Sequence, residues 1–315
     1  MNNIERNQVI TEDAEGQSRL NDGLGIPINE DKLMVSFSGG LTSGKLAHDI
    51  RSVFATTEKV RFVFANTGFE NEETLEFVHR CDAEFNLEVR WLEAVIDPRH
   101  GKGVAHKIVT FETAARKGEP FEAFIAKSGI PNANKPQCSD RLKALVIESY
   151  KKAIGWKGCL HAIGIRDDEA KRRSKSAAKY NLCYPMLDWP EFRATKEDVA
   201  KFWGEQKFTL NLEQHEGNCK TCWKKSDRKL ALLALEHPER FDFFREMERK
   251  YADVKPNDNG QARVFFRRNR STEDLFKELA GLDKSDAVEL RKMIGAKCDK
   301  EEEESGCAES CEAYA

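Results

Sequence analysis

Short apolar runs at 33–37, 59–65 and 88–95 divide the first hundred residues. None alternates cleanly with polar residues, which is the pattern of a strand buried on both faces. Between and after them the spacing turns helical. Leu46, Ala47 and Ile50 follow the first run, and Thr74, Leu75, Phe77, Val78 and Cys81 mark one face of a helix over 71–85. Leu142, Leu145, Val146, Ser149 and Tyr150 mark another helix, ahead of a fourth apolar run at 159–165. Strand–helix alternation with short connections predicts an α/β fold, a parallel sheet sandwiched by helices. Further helices over 196–206, 226–236 and 238–251 form a helical, cysteine-bearing C-terminal extension. Residues 97–130 are mixed, with a break near Gly118 before a short helix. The charges Arg99, His100, Lys102, His106 and Lys107 read as a solvated face.

In such sheets ligands lie beyond the carboxyl ends of the strands. The first run ends in Ser38-Gly39-Gly40-Leu41-Thr42-Ser43, and the second in Asn66-Thr67-Gly68-Phe69-Glu70. A strand that feeds a glycine turn opening a helix is an anion site. Glycine lets the backbone approach a phosphate, and free N–H groups at the helix start point at it. Ser36, Ser38, Thr42 and Ser43 add hydroxyls. The dinucleotide fingerprint does not fit, and the Walker loop fails at Leu46, where its magnesium-holding hydroxyl belongs. An ordinary strand–helix turn is the plain alternative.

The Ser-Gly-Gly-x-x-Ser loop resembles the PP-loop of ATP pyrophosphatases and of adenylyl-sulfate and phosphoadenylyl-sulfate (PAPS) reductases. Asn66-Thr67-Gly68-x-Glu70-x-x-x-Thr74-Leu75-x-Phe77 is similar to the next motif of the PAPS reductase-like family. Gly164-Ile165-Arg166-x-x-Glu169-x-x-Arg172 resembles its Gly-x-Arg-x-x-Glu-x-x-Arg loop. An arginine at a strand end suits phosphate or sulfate, and a salt-bridged surface loop is the alternative. Tyr184-Pro185-Met186-x-x-Trp189 resembles a further family segment, with Met186 in place of leucine, and Asp198-Val199 matches a helical pair beyond it. The resemblance runs from about 32 to 251. It implies nucleotide binding by Ser36, Ser38, Gly39, Gly40, Thr42, Ser43, Asn66, Thr67, Gly68, Glu70, Gly164, Arg166 and Arg172, with Arg173 as a weaker candidate. The implied ligands are ATP or PAPS, and magnesium.

Composition sets limits. Charged residues make up 33% of the 315 and the net charge is −3, so no basic bias points to nucleic acid. No apolar run approaches a membrane span, and residues 1–31 form a polar leader without a signal-peptide core. The expected location is the cytoplasm. The expected divisions are that leader, a nucleotide domain at 32–190, a helical extension at 191–252, and a polar, partly disordered tail at 253–315.

A cytoplasmic setting turns nine cysteines toward metal or thiol chemistry rather than disulfides. Cys159 reads as core. Cys219-x-x-Cys222 suits two thiolates on one centre, whether zinc, an iron–sulfur cluster or a redox dithiol. Adenylyl-sulfate reductases gather a Cys-Cys pair and a distant Cys-x-x-Cys on one cluster. By that resemblance Cys138, Cys183, Cys219 and Cys222 are expected to hold a 4Fe–4S cluster, with structural zinc as the alternative. The Cys-Cys pair itself is missing, since Gln137 and Ser139 flank Cys138.

The segment 263–270 is basic and reads as a mixed surface strand. Beyond an acidic run at 301–304 stand Cys307 and Cys311. PAPS reductases carry a catalytic cysteine on a C-terminal tail, which makes these two the candidate nucleophiles. This tail lacks the family's Glu-Cys-Gly, and its glutamates disfavour thiolate. Two enzymes therefore compete. One is a sulfonucleotide reductase served by a thioredoxin-like reductant. The other is an ATP pyrophosphatase of nucleic-acid thiolation or phosphorothioation, with a sulfur-donor protein and a nucleic acid as acceptor. The intact loop and the altered tail favour ATP, whereas the cysteine layout favours the reductase. A non-catalytic nucleotide-binding partner is the third reading. No membrane partner is expected, and the oligomeric state is not legible.

Overall fold

The computed structural model describes residues 9–12, 18–21, 32–54, 58–217, 219–296 and 314. Strands β1 (Val9–Glu12) and β2 (Ser18–Asn21) pair antiparallel. The main domain then runs β3 (Leu33–Ser36), α1 (Leu41–Val53), β4 (Val60–Asn66), α2 (Glu72–Phe85), β5 (Arg90–Ile96), β6 (Val104–Val109) and α3 (Glu119–Ser128). A π-helical turn, Asp140–Ala144, continues into α4 (Leu145–Ala153). After it come β7 (Leu160–Ala162), α5 (Ala177–Tyr180), β8 (Leu182–Cys183), α6 (Pro185–Asp188) and α7 (Lys196–Gly204). The C-terminal helices are α8 (Asp227–Glu236), α9 (Asp242–Tyr251), α10 (Thr272–Glu278) and α11 (Lys284–Ala296).

The six strands lie in the order β6-β5-β4-β3-β7-β8. All pairs are parallel except β5 with β6. The α/β sandwich expected from the apolar runs is therefore present, with one correction: the sheet is mixed. The run 97–130 holds the antiparallel edge strand. An edge strand needs only one apolar face, so β6 keeps Ile108 58% exposed and Lys107 on the Glu93 carboxylate at 2.8 Å. That mixture hid it.

Side-chain alternation along β3 feeds two cores. Leu33, Val35 and Phe37 pack with Leu46, Ile50, Phe77 and Trp203 on one face. Met34 packs on the other with Phe124, Ile147, Leu230 and Phe244, so α3, α4, α8 and α9 share one core with the sheet. Helix α7 starts at a capping box, with Thr195 and Asp198 bonding each other's backbone N–H. Asp198 is thus spent on the cap while Val199 is buried.

The segment 263–270 is not a surface strand. Phe265 and Phe266 are fully buried, Arg263 and Arg270 nearly so, and a short turn occupies Arg267–Asn269. Arg267 donates to the carbonyls of Lys225 at 2.5 Å and Lys224 at 2.7 Å, which straps this segment over the chain just past Cys222.

Tyr314 is buried in the core. Its hydroxyl donates to the Glu148 carboxylate at 2.7 Å, and its ring meets His161 edge-on at 5.1 Å. Among the described residues, no helix is long and apolar enough to cross a membrane.

Candidate functional site

Both predicted loops stand at the carboxyl ends of adjacent strands, β3 and β4. In the first, Gly39 adopts φ +86°, and a Cβ there would lie 2.5 Å from Thr74 Cγ2 on α2. Only glycine permits both the left-handed turn and that approach. The Ser43 hydroxyl ties the loop. It accepts from the Ser38 N–H at 3.1 Å, shares a hydrogen bond with the Ser38 hydroxyl at 2.8 Å, and donates to the Gly40 carbonyl at 3.1 Å. Helix α1 then starts at Leu41, and Trp203 Nε1 donates to the Leu41 carbonyl at 2.8 Å. Gly164, beyond β7, comes so close that a Cβ would lie 3.2 Å from Ser43 Cα.

Arg166 is 4% exposed. It donates to Thr42 Oγ1 at 3.2 Å and grips both Asp168 oxygens at 3.0 and 3.1 Å. The fork joins the third predicted loop to the first. Arg172 pairs with Glu169 at 2.5 Å, and Arg173 pairs with Asp188. The Ser36 hydroxyl, at the last residue of β3, shares a 2.8 Å hydrogen bond with His161, a neutral imidazole that burial holds well below its ordinary pKa.

In the second loop, Asn66 donates to Glu93 at 2.7 Å and to the Ala115 carbonyl at 2.9 Å, and accepts from the Gly68 N–H at 3.0 Å. The buried Glu70 carboxylate collects the N–H groups of Thr67 at 3.0 Å and Phe69 at 3.2 Å, and the Thr67 hydroxyl at 2.8 Å. Such donors offset the cost of burying the charge. Glu70 thus shapes its own loop.

That loop is bonded to the Cys-x-x-Cys segment. Glu70 and Cys219 form an antiparallel bridge, and the Lys220 N–H donates to the Phe69 carbonyl at 3.1 Å. Thr67 Oγ1 lies 3.8 Å from Cys219 Sγ, and Asn71 Nδ2 donates to the Glu216 carbonyl at 2.9 Å. Cys138, Cys219 and Cys222 line one small cavity with Thr67, Lys143 and Lys224. Both lysines are nine-tenths buried or more. Trp223 also lines the cavity, and its indole N–H is buried without a hydrogen-bond partner. Lys225 braces the segment by donating to the His215 carbonyl at 2.9 Å and to that of Gly217.

Cys183 does not join these three cysteines. It lies on the edge strand β8, paired with Ala162, and packs against the opposite core. Burial, with Asp188 adding, pushes its thiol far up. Nearness in sequence to the Cys-x-x-Cys misled here, because α6 and α7 intervene. Among the described residues, no group of three or more His, Cys, Asp or Glu is arranged to hold a metal ion. Cys183 stands apart from the other three thiols, which line one cavity but are not themselves arranged around a metal ion. Cys81 and Cys159 are core residues with thiols raised by burial. Cys307 and Cys311 lie outside the described residues. The signals missed from sequence were Lys143 and Lys224, two basic residues spaced close to cysteines.

The family model of the phosphoadenosine phosphosulfate reductase domain matches residues 32–192. The chain belongs to that family. Among individual proteins, it is similar to an uncharacterized nin region protein, ORF290, of Escherichia phage lambda. The two are 30% identical over 208 residues, which cover 64% of this chain and 69% of that one. A solved phosphoadenylyl-sulfate (PAPS) reductase from Candida auris, in a phosphate complex, aligns at 15% identity with a TM-score of 0.36. That alignment covers 60% of this chain and 77% of that one.

Proposed function

We propose that this protein is an enzyme that binds an adenine nucleotide, ATP or PAPS, and carries out sulfur chemistry beside it. The observation that carries the reading is the shared wall. The Asn66-Thr67-Gly68 loop stands at the strand end next to the phosphate loop, and its Thr67 also lines the three-cysteine cavity.

The phosphates lie over the Ser38–Ser43 loop, where the backbone N–H groups opening α1 offer donors and positive dipole. Arg166 acts by fixing Thr42 rather than as a loose cation. The thiols gathered here are those of Cys138, Cys219 and Cys222, and they would have to rearrange to hold a 4Fe–4S cluster or zinc. A cluster of this kind supplies redox or sulfur-carrying chemistry. The intact Ser-Gly-Gly-x-x-Ser loop favours ATP activation, in which an acceptor oxygen takes the adenylyl group as pyrophosphate leaves, and sulfur then displaces that oxygen as AMP. In the sulfonucleotide alternative, a thiolate attacks the sulfur and the adenosine phosphate leaves with the S–O electron pair. A dithiol reductant then supplies two electrons to release sulfite.

The test is anaerobic incubation of the full chain with magnesium ATP, PAPS or adenylyl sulfate and a dithiol, with product analysis. Pyrophosphate from ATP supports activation. Sulfite, with a sulfo adduct mapped to a cysteine, supports the reductase. Neither product from any nucleotide, with an added sulfur donor and acceptor nucleic acid, would leave only a nucleotide-binding partner and contradict the enzyme reading.

A further inference from the structure

We infer that the bonded seam between the Asn66–Asn71 loop and the Glu216–Lys220 loop makes Cys219 responsive to nucleotide, with Thr67 as the positioning residue between them. This rests on the nucleotide reading above. The seam has four members: the Glu70–Cys219 bridge, the Lys220-to-Phe69 bond, the Asn71-to-Glu216 bond and the Thr67–Cys219 contact.

The Thr67 hydroxyl proton is committed to Glu70, at 2.8 and 2.9 Å to its two oxygens. Its oxygen therefore faces Cys219 as an acceptor and holds the sulfur without sharing its own proton. Glu70 also holds the Thr67 N–H, so the hydroxyl and backbone of Thr67 move as one unit with the loop. A nucleotide that settles on this loop takes away part of its freedom. Cys219 is joined to the loop by backbone as well as by side chain, so it loses freedom too. Coupling of this kind runs through direct contact and is reciprocal. Occupancy of the thiol cavity would tighten nucleotide binding, or loosen it, by the same factor that the nucleotide changes the cavity.

The experiment is site-resolved alkylation. Full-length protein, stripped of metal by chelation and kept reduced, is treated with iodoacetamide with and without saturating ATP or PAPS. Peptide mass spectrometry then gives the rate at each cysteine, and calorimetry reports nucleotide binding separately. Nucleotide is expected to slow Cys219 by about fivefold or more, the low end of measured couplings between sites. Simple shielding by the ligand would do the same, so Asn71→Ala discriminates. It cuts one of the four ties, that to Glu216, without touching Cys219, so coupling through the seam weakens, whereas shielding persists. Should Asn71→Ala unfold, Asn71→Ser serves instead. Nucleotide that binds by calorimetry yet leaves Cys219 unchanged, or slows it equally in the Asn71 variant, overturns the coupling. No binding of either nucleotide overturns the nucleotide reading and the coupling with it.

Discussion

Thr67 and Cys219 stand 152 residues apart in the chain, and their side chains meet at 3.8 Å. Each is fixed from its own side. Thr67 is held by the Glu70 carboxylate, and the turn carrying Cys219 is strapped by Arg267 and braced by Lys225. The contact joins the end of β4, where a parallel sheet places its ligand, to the cavity that gathers three thiols.

Gly39 tests the phosphate loop. Gly39→Ala forces a left-handed residue, at about 1–2 kcal/mol, and presses on Thr74, at about 1–3 kcal/mol more. The variant should melt well below wild type and lose nucleotide affinity. Gly101→Ala is the control. Its φ of +77° is comparable, but no atom lies within 4 Å of the added carbon. It should cost only the conformational part and keep full affinity. Equal melting points for the two variants would contradict the packed loop.

Tyr314 tests the anchoring of the chain's far end. Tyr314→Ala should cost about 3–5 kcal/mol, as truncation of a large buried aromatic does. Tyr314→Phe keeps the ring and should cost about 1 kcal/mol. Burial, with Glu148 adding, raises the pKa of this phenol, so the fold favours its neutral form. The sign follows. The contribution is complete below the ordinary tyrosine pKa of about 10 and is lost as pH rises above it. Between pH 10 and 11, wild type should lose about 1 kcal/mol more unfolding free energy than Tyr314→Phe. Parallel pH curves for the two in denaturant titrations would place the tyrosine in solvent.

The cysteines are separable by metal content. Any iron or zinc that the anaerobically purified protein carries should be lost on Cys138→Ala, Cys219→Ala or Cys222→Ala. Cys183→Ala should keep it, and lower stability by only about 1 kcal/mol for the small group removed from the core. Loss of metal in Cys183→Ala, with the fold intact by circular dichroism, would return Cys183 to the ligand set.

Much of this was legible in the sequence because it is local. The run ending at Phe37, the glycine turn and the helical spacing from Leu46 fix one another, and the same holds for Asn66-Thr67-Gly68 ahead of α2. What escaped is long-range. Nothing near Tyr314 announces that it enters the core beside His161. The basic look of 263–270 concealed Phe265 and Phe266 turned inward and Arg267 spent on backbone carbonyls. Cys183 looked close to Cys219 only along the chain, whereas the sheet sends it to the β8 edge. In β6 the charges belonged to an edge strand, where a polar face carries no penalty.

The most direct test of the account is calorimetric titration of the full-length protein with ATP and with PAPS, beside Ser43→Ala. That substitution removes the hydroxyl tying Ser38 to Gly40. Saturable one-to-one binding of at least one nucleotide, weakened about tenfold or more by Ser43→Ala, is the predicted result, since tenfold corresponds to the roughly 1.4 kcal/mol of one to two hydrogen bonds. A folded protein that binds neither nucleotide, or binds with an affinity indifferent to Ser43, would contradict it.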